Sequence, residues 1–131
     1  MEMEISFEGG KKVNASYQGM EIKTDQPVKA GGEGSAPEPF TLFLASIGTC
    51  AGIYVKSFCD QRGIPAGEIK IVQSMSYNPE IRLIDKINID IQLPESFPEK
   101  YREAVIKAAD LCTVKKHLAY PPGIEVTAVI A

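Results

Sequence analysis

A run of residues almost free of charge, Phe40 to Val55, constrains this chain more than any other feature. It contains about sixteen residues, fewer than the roughly twenty that an α-helix needs to cross the hydrocarbon core of a bilayer. Charged residues follow at once, at Lys56, Asp60 and Arg62. A helix that is apolar on every side but too short to span a membrane is typical of the centre of a globular domain. We therefore expect a long central buried helix and no membrane partner.

The length and charge of the chain narrow the classes of protein that remain. Its 131 residues are enough for an adequate core, and we expect a single domain over residues 1–131. The net charge is −3, so the basic surface of a nucleic-acid-binding protein is absent. The N-terminal residues lack the basic start and apolar run of a secretory signal, and an odd count of 3 cysteines is untypical of a disulfide scaffold. These features predict a cytoplasmic protein.

Three segments near the N-terminus have the pattern of β-strands. They are Glu4–Phe7, Val13–Tyr17 and Met20–Lys23, and Gln18-Gly19 joins the last two as a hairpin turn in which glycine allows positive φ. The stretch from Asp25 to Pro37 is rich in glycine and proline, and its Gly31–Gly34 part predicts a flexible loop.

A capping pattern predicts where the long helix begins. Ser35 is followed by Glu38 at the spacing of a capping box, in which the two side chains satisfy the N–H groups at the start of a helix. Pro37 is tolerated in a first turn, and Gly63 suits a C-terminal cap. We expect the helix to run from near Ser35 to just before Gly63.

The second half of the chain predicts a strand pair, a helix and a last strand. The paired strands are Glu68–Tyr77 and Leu83–Leu93, and the last strand is Ile124–Ile130. Ser96 and Glu99 form a second capping pattern. It opens a helix with one apolar stripe, formed by Tyr101, Val105, Ala108 and Cys112. This order predicts an α+β fold, with antiparallel sheets packed on the long buried helix and a second Cys-bearing helix.

The three cysteines carry the most evident chemistry. Cys50 and Cys59 lie on opposite faces of the predicted helix and about 13 Å apart along its axis, too far for a disulfide. Cys112 is therefore the only possible intrachain partner for either. Small neighbours from Gly48 to Gly52 let a helix or a substrate approach the Cys50 sulfur, so we favour Cys50. Buried, inert thiols and a permanent disulfide remain open alternatives.

A reactive Cys50 would need a cation close by. It lies too far from the start of the predicted helix for the helix dipole to favour its thiolate, and burial would disfavour the thiolate. No Arg precedes Arg62, so Lys11 and Lys12, which lead into the first hairpin, are the candidates.

Two segments, taken together, resemble a known family. SAPEPFTLFLASIGTCAGIYV, followed later by DLCTVKKHL, is similar to the OsmC/Ohr family, the osmotically inducible protein C and organic hydroperoxide resistance proteins. The resemblance extends over nearly the whole chain, since hairpin, Cys helix, strand pair, second Cys helix and last strand occur in matching order. The joint pattern of Pro-Glu, Gly-x-Cys and a distant helical Cys is specific, whereas neither half alone would be.

The resemblance implies a thiol-dependent peroxidase that reduces organic hydroperoxides to alcohols. Cys50 matches the peroxidatic cysteine, which becomes a sulfenic acid, and Cys112 matches the resolving cysteine, which condenses with it to a disulfide. Glu38 matches the carboxylate that helps to hold an active-site Arg. An external thiol reductant, a dithiol or a thioredoxin-like protein, closes the cycle, and no metal or other cofactor is required. Family members form intertwined homodimers, so a homodimer is also implied.

The chain departs from the family at the active-site Arg. Lys12 falls within about one position of the expected place, and lysine supplies charge without the planar fork of a guanidinium. We expect Lys12 to bind substrate together with Phe43 and Tyr54, two aromatic residues that would equally suit a core. The missing Arg leaves two alternatives open: a non-enzymatic binding protein for an apolar or acyl ligand on the same fold, and a redox sensor.

Overall fold

The computed structural model describes all 131 residues of the chain. They form two compact units, residues 1–45 and residues 46–131, and one long helix, α1 (Pro39–Gln61), begins in the first and ends in the second. Two antiparallel sheets and three α-helices confirm the predicted α+β class.

A three-stranded antiparallel sheet forms most of the first unit. Its strands are β1 (Glu4–Gly9), β2 (Lys12–Tyr17) and β3 (Met20–Thr24), with β2 in the middle. Gln18 and Gly19 connect β2 to β3, with left-handed φ angles of 49° and 78°. Two such residues in succession match the twist of a two-residue hairpin, so the predicted hairpin and its turn are confirmed.

One buried carboxylate organises the loop that follows β3. The side chain of Asp25 is fully buried and accepts hydrogen bonds from the Ser35 hydroxyl and from the backbone N–H groups of Gln26, Glu33 and Ser35. A Cβ at Gly32 would lie 2.8 Å from Oδ1 of Asp25 and closer still to the carbonyl oxygen of Gln26. The stretch that glycine content predicts to be flexible is therefore a hydrogen-bonded loop wrapped around a carboxylate.

Helix α1 begins later than predicted because Ser35 has another partner. Its hydroxyl donates to Asp25 instead of capping the helix, and the first helical residue is Pro39. The predicted start at Ser35 and its capping box are therefore wrong. Glu38 immediately precedes the helix, and its carbonyl accepts the N–H of Leu42 at 3.2 Å.

Helix α1 ends where the sequence predicts. In the single chain, however, it is not buried on every side. The helix stops at Gln61, just before Gly63, which has a φ of 64°. In the second unit it buries one stripe only, formed by Ile47, Ala51, Val55, Phe58 and Cys59, while Ile53 is 57% exposed. By length and composition alone the helix could cross a membrane, a test that core helices of soluble proteins also pass.

A two-stranded antiparallel sheet belongs to the second unit. It consists of β4 (Lys70–Asn78) and β5 (Leu83–Gln92), close to the predicted strand pair. Gln73 reaches α1 at Gly48, where an added Cβ would collide with its side-chain oxygen. The small residues of the helix thus let β4 approach closely.

The predicted second Cys-bearing helix is two helices. They are α2 (Arg102–Asp110) and α3 (Thr113–Ala119), and Leu111 and Cys112 separate them. The N–H groups of these two residues bond to carbonyls three residues back, which tightens and ends α2. The prediction of one continuous helix is therefore wrong at Cys112.

The prediction of a second capping box, at Ser96 and Glu99, is also wrong. A 3-10 turn, Glu99–Tyr101, precedes α2, and no side chain caps the turn or the helix. Phe97, between Ser96 and Glu99, is only 3% exposed and belongs to the core. Burial of this aromatic ring favours the turn over a capping box, because it removes a large apolar surface from water.

The core of the second unit lies between α1, α2 and the sheet. Val105 and Cys59 are fully buried at its centre, and Phe58, Phe97 and Ala109 pack around them. The predicted inward position of Val105 is thereby confirmed.

The last residues do not form the predicted strand. Residues 121–131 have no helix or strand, and the side chains of Ile124 and Val126 are 85% and 92% exposed. Alternating apolar residues favour a strand only where a neighbouring strand accepts and donates its backbone hydrogen bonds. In the single chain this segment has no such neighbour, so the prediction of a strand over Ile124–Ile130 is wrong here.

Candidate active site

Cys50 lies in the middle of α1, on the edge of its buried stripe. It is half-buried, and its neighbour Ala51 is 2% exposed. The sulfur therefore lies at the boundary between the core of the second unit and its surface, and it is a free thiol.

Cys112 occupies the junction between α2 and α3. It is 2% exposed, and its sulfur accepts a hydrogen bond from the backbone N–H of Lys115 at 3.3 Å, so it serves as the N-cap of α3. Its backbone is extended, with φ of −60° and ψ of 142°. The Cys112 thiol therefore lies on a short non-helical segment and not on the side of a helix.

The structure brings Cys50 and Cys112 together. Burial raises the pKa of the Cys112 thiol, the Lys115 N–H opposes this, and the neighbouring Cys50 thiol raises it further. Two thiols that influence each other's titration in this way are candidates for a disulfide pair.

Cys59 has a different environment. It is fully buried in the core, and burial raises the pKa of its thiol, with a further rise from the charge of Asp60. A protonated thiol without access to solvent behaves as a small apolar side chain.

Tyr54 lies one helical turn after Cys50 and has a polar partner. Its hydroxyl is 2.9 Å from Oγ1 of Thr113, the residue that follows Cys112. The ring of this predicted substrate-binding residue therefore lies close to both cysteine-bearing segments, with its hydroxyl already hydrogen-bonded.

An apolar cavity of about 300 Å³ adjoins Cys112. Its walls come from α1, β5, α2 and α3 and are mainly aliphatic, formed by Ile47, Ala51, Ile87, Ile89, Ile91, Ile106, Ala109 and Leu118. Asp110 and Lys115, which form an ion pair with each other, also line it. A small organic group would fit this volume and chemistry better than a polar one.

The other three predicted site residues lie in the first unit. Lys12 Nζ is 2.9 Å from Oε2 of Glu33, and the hydrogen bond with Glu33 and its charge raise the pKa of Lys12. Glu38 is half-buried just before α1, and the ring of Phe43 stacks on that of Phe40 with centroids 5.6 Å apart.

Arg62, the first arginine in the chain, has a structural role. Its guanidinium lies 3.6 Å from the centroid of the Phe58 ring and donates to the Phe58 carbonyl at 3.1 Å. These contacts hold it at the C-terminal end of α1.

Sequence reasoning missed two residues around these sites, Asp25 and Thr113. Asp25 directly precedes a Gln-Pro turn and a glycine-rich loop, where an Asp side chain often accepts backbone N–H groups, so a local signal existed. No local sequence signal pointed to Thr113, because its hydrogen-bond partner, Tyr54, lies 59 residues away in sequence.

The fold and the two neighbouring thiols define a class of small α+β protein, in which one cysteine lies on a long helix and the other at the junction of two short helices. Residues 32–127 match the family model of OsmC-like proteins, so the chain belongs to the OsmC-like protein family. The resemblance seen in the sequence is thereby confirmed. No curated protein sequence matches the chain significantly.

Solved structures share the fold at low sequence identity. A Psychrobacter arcticus protein, described as an osmotic stress induced and detoxification response protein, is 21% identical, with a TM-score of 0.71 over 87% of this chain and 85% of its own. An OsmC-like protein from Mycoplasma pneumoniae is 14% identical, with a TM-score of 0.66 over 90% and 86%. The organic hydroperoxide resistance protein OsmC from Legionella pneumophila is 18% identical, with a TM-score of 0.51 over 88% and 86%.

Proposed function

We propose that this protein is a thiol-dependent peroxidase that reduces organic hydroperoxides to alcohols. The observation that carries the proposal is that the Cys50 and Cys112 thiols, on segments far apart in sequence, lie near enough to each other for Cys50 to raise the pKa of Cys112. Membership of the OsmC-like family supports it, as does the name of the Legionella pneumophila neighbour, which refers to organic hydroperoxide resistance.

The two thiols differ in ways that favour different roles. Cys50 is half-buried and can meet a substrate, which suits the cysteine that attacks the peroxide. Cys112 is buried, and its raised pKa keeps it a protonated thiol. A thiol that stays protonated does not compete for the peroxide, and it lies beside the first sulfur for the later condensation step, in which it loses its proton.

The proposed reaction proceeds in three balanced steps. The Cys50 thiolate attacks the distal oxygen of the hydroperoxide, the O–O bond breaks, and the alcohol leaves after taking up a proton. The sulfenic acid on Cys50 then condenses with the Cys112 thiol, forming the disulfide and releasing water. Two thiols of an external dithiol or thioredoxin-like reductant restore both cysteines and are themselves oxidised to a disulfide.

The surroundings favour an organic substrate. The aliphatic cavity beside Cys112 would accept the alkyl or aryl group of the hydroperoxide, whereas hydrogen peroxide has no apolar group to bury there.

We also propose a cytoplasmic homodimer. Mutual burial would remove the exposed apolar side chains of the C-terminal segment from water.

A thiol count tests the proposal directly. One equivalent of cumene hydroperoxide should remove two of the three thiols of the reduced protein, and peptide mapping should locate a Cys50–Cys112 bond. Hydrogen peroxide at the same concentration should act more slowly. Three thiols still free after the reaction with cumene hydroperoxide would refute the peroxidase.

A second candidate function is a binding protein for an apolar or acyl ligand. The ion pair of Lys12 with Glu33 favours it, because this lysine already has an acidic partner. The cavity of about 300 Å³ is large enough for a short acyl chain. Native mass spectrometry of the purified protein would detect such a ligand, and its presence together with three unreactive thiols would favour this function.

A further inference from the structure

One hydrogen bond runs beside the pair of cysteines and joins the same two segments. Tyr54 lies one turn after Cys50 on α1, and Thr113 directly follows Cys112. Their side-chain oxygens are 2.9 Å apart, a normal length for a bond between hydroxyl groups.

The segment that this bond joins to α1 is a short connection between two helices, held by backbone hydrogen bonds to α2 and by the N-cap contact of the Cys112 sulfur. Cys112 lies in a two-residue break between α2 and α3, and neighbouring Leu111 is 65% exposed. A continuous helix would set the direction of the Cys112 side chain through its regular backbone, whereas at this break the direction depends on the few contacts that fix the junction. A disulfide tolerates only a narrow range of distances and dihedral angles, so a change in this direction would slow its formation.

We propose that Tyr54 and Thr113 are a positioning pair that holds the Cys112 sulfur in reach of Cys50 for disulfide closure. The inference rests on the proposed function, since it assigns the pair to that reaction's second step. Their hydrogen bond restricts the α2–α3 junction, so that the Cys112 thiol meets an oxidised Cys50 in one arrangement.

Closure can be measured without a peroxide, using the aromatic disulfide reagent DTNB. The Cys50 thiolate attacks DTNB, which releases one thionitrobenzoate and leaves the other as a mixed disulfide on Cys50. The Cys112 thiolate then attacks the Cys50 sulfur of that mixed disulfide, so that the protein disulfide forms and a second thionitrobenzoate leaves. Stopped-flow absorbance separates the two releases, and peptide mapping identifies the bond formed.

Two variants remove the hydrogen bond with little change of shape, Tyr54→Phe and Thr113→Val. In each, we expect the second release to slow by about three- to tenfold, the range of a typical net hydrogen bond. In Thr113→Val, the first release should keep its rate. Thr113→Ser keeps the hydroxyl and should restore closure. The double variant should be no slower than either single variant, because both remove the same bond.

The matched control is Tyr77→Phe, a tyrosine on β4 that is 62% exposed. It should close as fast as the wild-type protein. Closure at the wild-type rate in both Tyr54→Phe and Thr113→Val would overturn the inference, as would additive effects in the double variant or a wild-type protein that releases only one thionitrobenzoate.

The two proposals can fail separately. If cumene hydroperoxide leaves the thiols free but the variants slow closure after DTNB, the peroxidase is refuted and the positioning pair stands. If the peroxide forms the disulfide but the variants close normally, only the positioning pair is refuted.

Discussion

The hydroxyl of Ser35 donates a 2.6 Å hydrogen bond to Oδ2 of Asp25, ten residues earlier in the chain. Three backbone N–H groups also donate to this carboxylate. Together, with the Ser35 hydroxyl contributing most, they lower the pKa of Asp25 from 3.8 to about 2. The loop therefore depends on a charged carboxylate, because a protonated one is a weaker acceptor for these donors.

Replacing this carboxylate should change how stability depends on pH. The folded pKa lies below the unfolded value, so the charged form stabilises the protein above about pH 4, and this contribution declines as the pH falls towards 2. Asp25→Asn should be less stable than the wild-type protein by a constant amount near neutral pH, and the difference should shrink below about pH 4. Urea unfolding over this pH range measures it. A difference that stays constant down to pH 2 would contradict the role of the charge.

The close approach of Gly32 to the same loop predicts a steric effect. A Cβ there would lie 2.8 Å from Asp25 Oδ1 and would collide with the backbone carbonyl of Gln26. We expect Gly32→Ala to lower the free energy of unfolding by about 1–3 kcal/mol. Gly67→Ala is the control, since a Cβ there meets no atom within 4 Å. Urea unfolding should find it within about 0.5 kcal/mol of wild type, and equal losses in both variants would exclude the steric explanation.

The proposed peroxidase assigns each cysteine a distinct phenotype. Cys50→Ser should reduce turnover of cumene hydroperoxide to the uncatalysed rate, since an alcohol cannot replace the thiolate. Cys112→Ser should leave a sulfenic acid on Cys50 that dimedone traps in a mass-spectrometric assay. Cys59→Ala, which removes only the buried thiol, should keep most of the activity. Wild-type turnover in Cys50→Ser would refute the assignment.

Lys12 is the candidate that the sequence offers for the cation in place of the arginine of the family. Lys12→Ala should then make the Cys50 thiolate less favourable and shift its alkylation profile to higher pH. Iodoacetamide labelling followed by peptide mass spectrometry measures the profile for Cys50 alone. Lys29→Ala removes an exposed lysine from the neighbouring loop and serves as the control. An unchanged profile in Lys12→Ala would remove this residue from the site.

The sequence by itself determined the elements whose signals are local. The Gln18-Gly19 turn, the alternation around Ile87 and Ile89, and Gly63 after the long helix each act through adjacent residues, so the hairpin, the strand pair and the end of α1 could be predicted. The cysteine spacing likewise excluded a Cys50–Cys59 bond, because helix geometry alone sets that distance.

Only the tertiary structure decided which groups meet. Ser35 has the pattern of a helix cap but bonds to Asp25, and the break at Cys112 interrupts an apolar stripe that would otherwise continue as helix. The contacts of Cys50 with Cys112 and of Tyr54 with Thr113 join segments about sixty residues apart. Such contacts depend on how elements pack, and packing energy is shared among many side chains, so no short segment of sequence specifies them.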